Sequence, residues 1–267
     1  MKSDNLKIEI EKQISKLKVK KGSTLYVAGN LYNFSIDKAN ISNFCKHLLI
    51  SLKKKIGNQG NIIVPTSTLN LTNTNKIYDP KKTKSYLMGI FSEYVRNQKN
   101  SFRSNHPLWS FSGVGKNVKK VLGNTSHSAY GDGSVFYNLL SFDTYFISLG
   151  EPNASIGMVH YVENLIGVPY RYNKEVFVRV KEKNKIVKKY CLLGVRFKSK
   201  YIISNNNEKI INQLYKMNTF KKLKINKGNI YICKYESIIS NLRKIILKNP
   251  RIWLKNDKIN QKKYFKD

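Results

Sequence analysis

The sequence predicts an α/β protein, a mixed and partly parallel sheet covered by helices on both faces in three α/β/α layers. Residues 24–66 read strand, helix, strand, the order that joins parallel strands through a crossover helix. A further strand at 144–150 is followed at once by a helix at 155–166. A chain of 267 residues, 41% hydrophobic and 12% aromatic, is long enough for one large domain or two small ones. No internal repeat or linker-like stretch divides it, so 1–267 is expected to form one domain behind an N-terminal helical segment, 1–21.

Taken in order, Leu6, Ile10, Ile14 and Leu17 recur at helical spacing behind Asp4, which predicts a capped helix over 4–19. Thr24–Gly29 reads as a buried strand. Ile41, Phe44, Leu48, Leu49 and Leu52 form the apolar stripe of a helix closed by Gly57-Asn58-Gln59-Gly60. Asn61–Thr66 is a second short strand, stopped by Pro65. An Asn- and Thr-rich loop over 68–83 precedes a helix expected at 84–97. Residues 100–135 lack regular periodicity and are rich in Gly, Ser and His, as functional irregular segments often are. After the 144–166 strand and helix, two β-rich runs flank Lys181–Lys185 as a hairpin. The remainder mixes helix with a short strand at 230–232 and a terminal helix through Leu247.

Charge is the loudest feature of the composition: 49 basic residues minus 16 acidic ones gives +33. Such a field attracts anionic ligands and repels cationic ones. Dense basic charge also suits nucleic-acid binding, but the lysines are scattered from Lys2 to Lys266 and no recognised nucleic-acid motif accompanies them. No specific nucleic acid is therefore expected as partner. Apolar runs such as His47–Ile50 are too short to span a membrane. The N-terminus lacks the pattern of a signal peptide, which predicts a cytoplasmic protein. Cys45, Cys191 and Cys233 are expected as buried, reduced thiols, and no residues stand at metal-ligand spacing.

No nucleophile elbow, zinc-protease helix, Walker loop or dinucleotide turn is present. What remains is a strand, a turn and a helix capped by Ser155 that carries His160 and Glu163. Residues three apart on a helix are neighbours, so the carboxylate can orient the imidazole and stabilise its protonated form. Histidine is also the side chain suited to proton transfer near neutrality. The pair taken alone fits a surface ion pair as well. A second candidate is Arg103-Ser104-Asn105-His106-Pro107 through Ser110-Phe111, and a third is the turn Tyr130–Ser134.

In order along the chain, Pro65-Thr66, Tyr78-Asp79-Pro80, Ser85–Gly89, Arg103-Ser104-x-His106-Pro107-x-x-Ser110-Phe111, Gly131-x-Gly133-Ser134 and His160-x-x-Glu163 resemble the aminoglycoside 3-N-acetyltransferase family. The resemblance runs from about residue 22 to 255, includes Pro250-x-x-Trp253-Leu254, and is loosest in the C-terminal third. It implies transfer of an acetyl group from acetyl-CoA to an amine of an amino sugar, either an aminoglycoside or a precursor of a surface glycan. It further implies His160 as general base and Glu163 as its orienter, with direct transfer and no metal. Asn30, Leu31, Thr66, Ser110 and Phe111 would hold the CoA arm, with Thr66 and Ser110 as candidate oxyanion donors. Asp79 and His106 would meet the small-molecule amine acceptor; a homodimer is left open.

One departure stands out. Where the family has a His-Ser-Ser-Leu-like turn after its first strand, this chain reads Ala28-Gly29-Asn30-Leu31. The alternative is thus a weak or inactive relative that binds nucleic acid or anionic surfaces. The net charge ranks a nucleotide-linked amino sugar above a polycationic antibiotic as acceptor.

Overall fold

The computed structural model describes residues 3–123, 125–152, 156–198, 202 and 207–255. In chain order its elements are α1 (Ser3–Ser15), β1 (Thr24–Gly29), α2 (Ile41–Ile56), β2 (Asn61–Pro65), β3 (Ile77–Tyr78), α3 (Ile90–Arg96), β4 (Phe102–Arg103), β5 (Phe111–Gly115), α4 (Val118–Leu122) and α5 (Val135–Asn138). They continue with β6 (Thr144–Leu149), α6 (Ile156–Ile166), β7 (Arg171–Glu182), β8 (Lys185–Arg196), α7 (Asn207–Lys216), β9 (Lys221–Ile225), β10 (Gly228–Lys234) and α8 (Tyr235–Lys248).

Seven strands form one sheet in the order β4-β5-β2-β1-β6-β10-β9. β1 pairs in parallel with β2 and with β6, from Thr24 opposite Thr144 to Gly29 opposite Leu149. The outer pairings are antiparallel. This is the mixed, partly parallel sheet that the sequence predicts. The central strands are buried along almost their whole length, which is why they read as continuous apolar runs. Successive side chains supply opposite faces. Leu25, Val27, Ile62, Val64, Ile147 and Leu149 pack on one side with α1, α2 and α3. Tyr26, Ala28, Ile63 and Phe146 pack on the other with α4, α5, α6 and α8. A smaller sheet, β3-β7-β8, carries the long hairpin with its turn at Lys183-Asn184.

Several elements differ from the sequence expectation. α1 ends at Ser15 rather than near 19, and Asp4 lies inside it rather than ahead of it. Ser155, expected to cap α6, lies outside the described residues. The helix expected at 84–97 begins only at Ile90, because Leu87 and Gly89 hold φ of +57° and +87°. A Cβ on Gly89 would come within 2.5 Å of the Gly29 carbonyl oxygen, so the chain turns here against the end of β1 instead of coiling. The stretch 100–135 is more regular than expected. β5 within it is buried on both faces and built partly of Ser112 and Gly113, so it shows neither an alternating nor an apolar pattern. β9 is a lysine-rich edge strand, the composition that protects sheet edges and hides them from hydrophobic patterning. All three cysteines are free and buried, and burial pushes the Cys45 thiol up to about 12 and the Cys191 thiol up to about 11.

Candidate active site

In an open sheet with parallel central strands, ligands bind outside the carboxyl ends of those strands. Here the segments leaving β1, β2 and β6 gather at that edge. Asn30 N–H donates to the Leu149 carbonyl at 3.1 Å, and Thr66 N–H to the Ser110 carbonyl at 2.8 Å. Gly29, at φ +120°, lies so close to Leu149 that a Cβ would sit 2.2 Å from its carbonyl oxygen.

α6 leaves this edge and carries His160 and Glu163 one turn apart. Their side chains meet: His160 Nδ1 lies 2.8 Å from Glu163 Oε2. Glu163 is 1% exposed, whereas His160 is partly open. A carboxylate only accepts, so the Glu163 contact puts the proton on Nδ1 and leaves Nε2 as an acceptor, and Arg171 Nη2 lies 3.0 Å from Nδ1 and 3.5 Å from Nε2. Two residues at the junction of α6 and β7 complete the surroundings of Glu163. The Tyr170 hydroxyl donates to Oε1, and Arg171 Nε lies 2.6 Å from Oε2. Burial alone would raise the Glu163 carboxyl, but His160, Arg171 and Tyr170 together hold it below the usual carboxylate range. Burial lowers the His160 imidazole below its ordinary value; Glu163 opposes this, and Arg171 and Arg196 reinforce it. His160 is therefore neutral at neutral pH, with an anion fixed beneath it.

The imidazole faces a cavity of about 650 Å³. Trp253 approaches His160 edge to face at 4.9 Å, and Tyr130 does so at 5.8 Å. Trp109 and Leu69 add to the apolar wall, and Arg171, Arg196 and Lys198 bring positive charge. The structure thus brings together an oriented imidazole and an open cavity beside it, an arrangement suited to proton transfer to or from a bound ligand.

The other sequence candidates lie outside that cavity's lining. Thr66 and Ser110 are buried, with hydroxyls 3.2 Å apart, and Thr66 also lies 3.2 Å from the Ser112 hydroxyl. Arg103 binds this pair through Nε to Ser110 Oγ at 3.0 Å and Nη2 to the Thr66 carbonyl at 2.6 Å. These hydroxyls bond one another, the Thr66 carbonyl and Arg103, and together form a wall. Phe111 is buried behind them and contacts Phe136 at 5.2 Å. Leu31 is buried, and Asn30 is exposed and accepts the Tyr32 N–H at 3.1 Å.

His106 is 4% exposed. Its Nδ1 accepts the Trp109 N–H at 2.9 Å, and burial lowers the ring to about 4. It adjoins the cavity through Trp109, a lining residue whose ring lies 5.3 Å from Tyr130. Asp79 caps its own turn, taking the N–H groups of Lys81 and Lys82 at 2.9 and 3.2 Å.

Sequence reasoning missed Tyr170, Arg171 and Arg196. Their only signal is position, at the helix-to-strand junction seven and eight residues past Glu163 and at the far end of the paired strand.

A sequence profile of aminoglycoside 3-N-acetyltransferases matches residues 38–246. The chain belongs to the aminoglycoside 3-N-acetyltransferase family. The family is one of acyltransferases, and its match spans both the Arg103–Phe111 segment and the His160–Glu163 pair. Solved structures share the family fold at low identity. YokD protein from Bacillus subtilis superposes with a TM-score of 0.74 at 19% identity, covering 91% of this chain and 99% of its own. Aminoglycoside acetyltransferase AAC(3)-IVa, as apoenzyme, gives 0.73 at 17% identity, with 96% of each chain covered. AAC-IIIb, solved as a binary complex with CoASH, gives 0.78 at 13% identity, covering 91% of this chain and 96% of its own. No curated protein matches the chain in sequence. Among the described residues, no helix is long and apolar enough to cross a membrane.

Proposed function

We propose that this family member transfers an acetyl group from acetyl-CoA to an amine of an amino sugar, with His160 as general base and Glu163 as its orienter. The observation that carries this reading is the His160–Glu163 contact of 2.8 Å, with a neutral imidazole that lines a cavity. In the reaction the amine nitrogen attacks the thioester carbonyl while His160 Nε2 takes its proton. Collapse of the tetrahedral intermediate breaks the carbon–sulfur bond, and the imidazolium returns the proton to the leaving thiolate. The products are an amide and CoA. Glu163 stabilises the imidazolium between these steps and keeps the proton on Nδ1 in the resting state.

Acetyl-CoA is placed along the carboxyl edge of the sheet, by the Asn30–Leu31 turn and the wall of Thr66, Ser110 and Phe111. Support for this placement is the convergence there of the segments after β1 and β2, the region where open sheets take ligands. AAC-IIIb, which shares the fold, was solved with CoASH. The acceptor is an aminoglycoside or an amino-sugar precursor of a surface glycan; AAC-VIa, similar in fold at 16% identity, was solved with sisomicin bound. The net charge of +33 ranks the precursor first. The test is release of free CoA thiol from acetyl-CoA in the presence of a panel of amines. The reading expects amine-dependent release that His160→Ala lowers by roughly 10²–10⁴-fold. Release at an undiminished rate in the variant, or no release with any amine, overturns it.

A further inference from the structure

Resting on the acetyl-transfer reading, we infer that Arg196, with Lys198, is an acceptor subsite for phosphate, so that the acceptor is a phosphorylated amino sugar and not a polycationic one.

The charges around the cavity carry the inference. Its described lining holds three cations, Arg171, Arg196 and Lys198, and no carboxylate. The nearest carboxylate, Glu163, is 1% exposed and already held by His160, Tyr170 and Arg171. Arg171 and Glu163 thus compensate each other. Among the described residues Arg196 has no such partner: its Nη1 donates to the Ile202 carbonyl at 3.2 Å, and its guanidinium lies 5.4 Å from the Trp253 ring centroid. Arg171 lies 4.8 Å from the same ring, so two cations share one indole beside His160. Like charges held this close repel, and an anion between or beside them relieves the cost. An arginine fork with a flexible lysine next to it is a donor set suited to phosphate. An aminoglycoside, which carries several ammonium groups, would meet only repulsion here and would find no free carboxylate among the described lining residues.

The anion must belong to the acceptor. Acetyl-CoA reacts at its thioester, and the pantetheine arm separates that group from the CoA phosphates. A phosphate next to Trp253, in contact with the base, therefore cannot be CoA's own when the thioester lies at His160. The aromatic wall of Trp109 and Tyr130 completes a pocket for a sugar ring.

The experiment compares glucosamine, glucosamine 1-phosphate, UDP-glucosamine and kanamycin as acceptors in the thiol-release assay, on the full chain. Either phosphorylated acceptor is expected to exceed glucosamine in kcat/KM by roughly ten- to a hundredfold, the worth of one or two charge-assisted hydrogen bonds. The better of the two identifies the source as a sugar phosphate or a nucleotide-linked sugar. Arg196→Gln keeps a donor for the Ile202 carbonyl while removing the charge, and it should bring that ratio toward one. Lys198→Gln, at an exposed position, should lower it in part. The inference is overturned if glucosamine or kanamycin matches the phosphorylated acceptors, or if the preference persists in the double variant. If no acceptor releases thiol, the acetyl-transfer reading fails instead. Calorimetric binding of glucosamine 1-phosphate, present in the native protein and lost in Arg196→Gln, then decides the subsite alone, and its absence overturns it.

Discussion

Two arginine-centred polar clusters are buried in this molecule, and they differ in where their hydrogen bonds end. Around Arg103 each guanidinium nitrogen reaches a protein acceptor: Ser110 Oγ, the Thr66 carbonyl and the Thr83 carbonyl, with the Tyr78 ring 5.0 Å away. Around Arg171 the cluster contains a carboxylate, and the imidazole bound to it looks into a cavity. The first cluster is closed and ties three chain segments together. The second opens onto a cavity at the imidazole. Buried polar groups normally complete their bonds inside the protein, so an oriented titratable side chain that lines a cavity separates chemistry from scaffolding.

Mutation of each cluster should produce opposite signatures. The largest effect is expected at the open one: His160→Ala should lower kcat by roughly 10²–10⁴-fold, the usual worth of a positioned base, with little change in thermal midpoint. Steady-state thiol release beside a thermal melt checks both halves. Arg103→Met should do the reverse. It strips charged donors from buried acceptors, worth about 3 kcal/mol of stability, or on the order of 10 °C in a chain of this size. Activity of the folded fraction should fall far less than in His160→Ala. A comparable loss of kcat in both variants would erase the distinction.

Glu163→Gln sharpens the picture within the open cluster. It keeps the shape, removes the charge that stabilises the imidazolium, and leaves Arg171 without its counter-ion. A fall in kcat of roughly ten- to a hundredfold is expected. Glu163 is the group that holds the His160 pKa up, against burial and Arg171. The acid limb of the rate profile, already below the ordinary histidine value in the native protein, should therefore move to still lower pH in the variant. Movement to higher pH would mean that Glu163 does not act through its charge on His160.

The same contrast explains what could be read from the sequence. The sheet was legible because its central strands are long apolar runs separated by amphipathic helices. The strand at Phe111–Gly115 was not, since Ser112 and Gly113 carry no hydrophobic signal although both faces are buried. His160 and Glu163 were legible as a pair three apart on one helix, where local spacing fixes proximity. Motif order groups Thr66, Ser110, Asp79 and His106 with that pair, and none of the four lines the cavity His160 faces. Order along the chain records which segments converge, not which side chains remain unbonded once they do. Arg171 and Arg196 reach the site through the pairing of two long strands, Arg171 opposite Arg196 in register, a contact that no local pattern encodes.

The smallest effect concerns His106, whose part in the closed region can be separated by pH. Its ring is buried, its Nδ1 accepts the Trp109 N–H, and desolvation brings it from 6.5 in the unfolded chain to about 4 in the folded one. Because the folded value is the lower one, the unfolded chain binds the proton first. Stability from this residue is complete above pH 6.5 and is lost as pH falls toward 4. Each pH unit inside that window should remove about 1.4 kcal/mol. His106→Asn keeps an acceptor for Trp109 N–H and cannot titrate, so its denaturant midpoint should decline less steeply than that of the native protein between those limits. Parallel curves for the two proteins would show that His106 carries its proton equally in both states, and the Trp109 wall would then need another support.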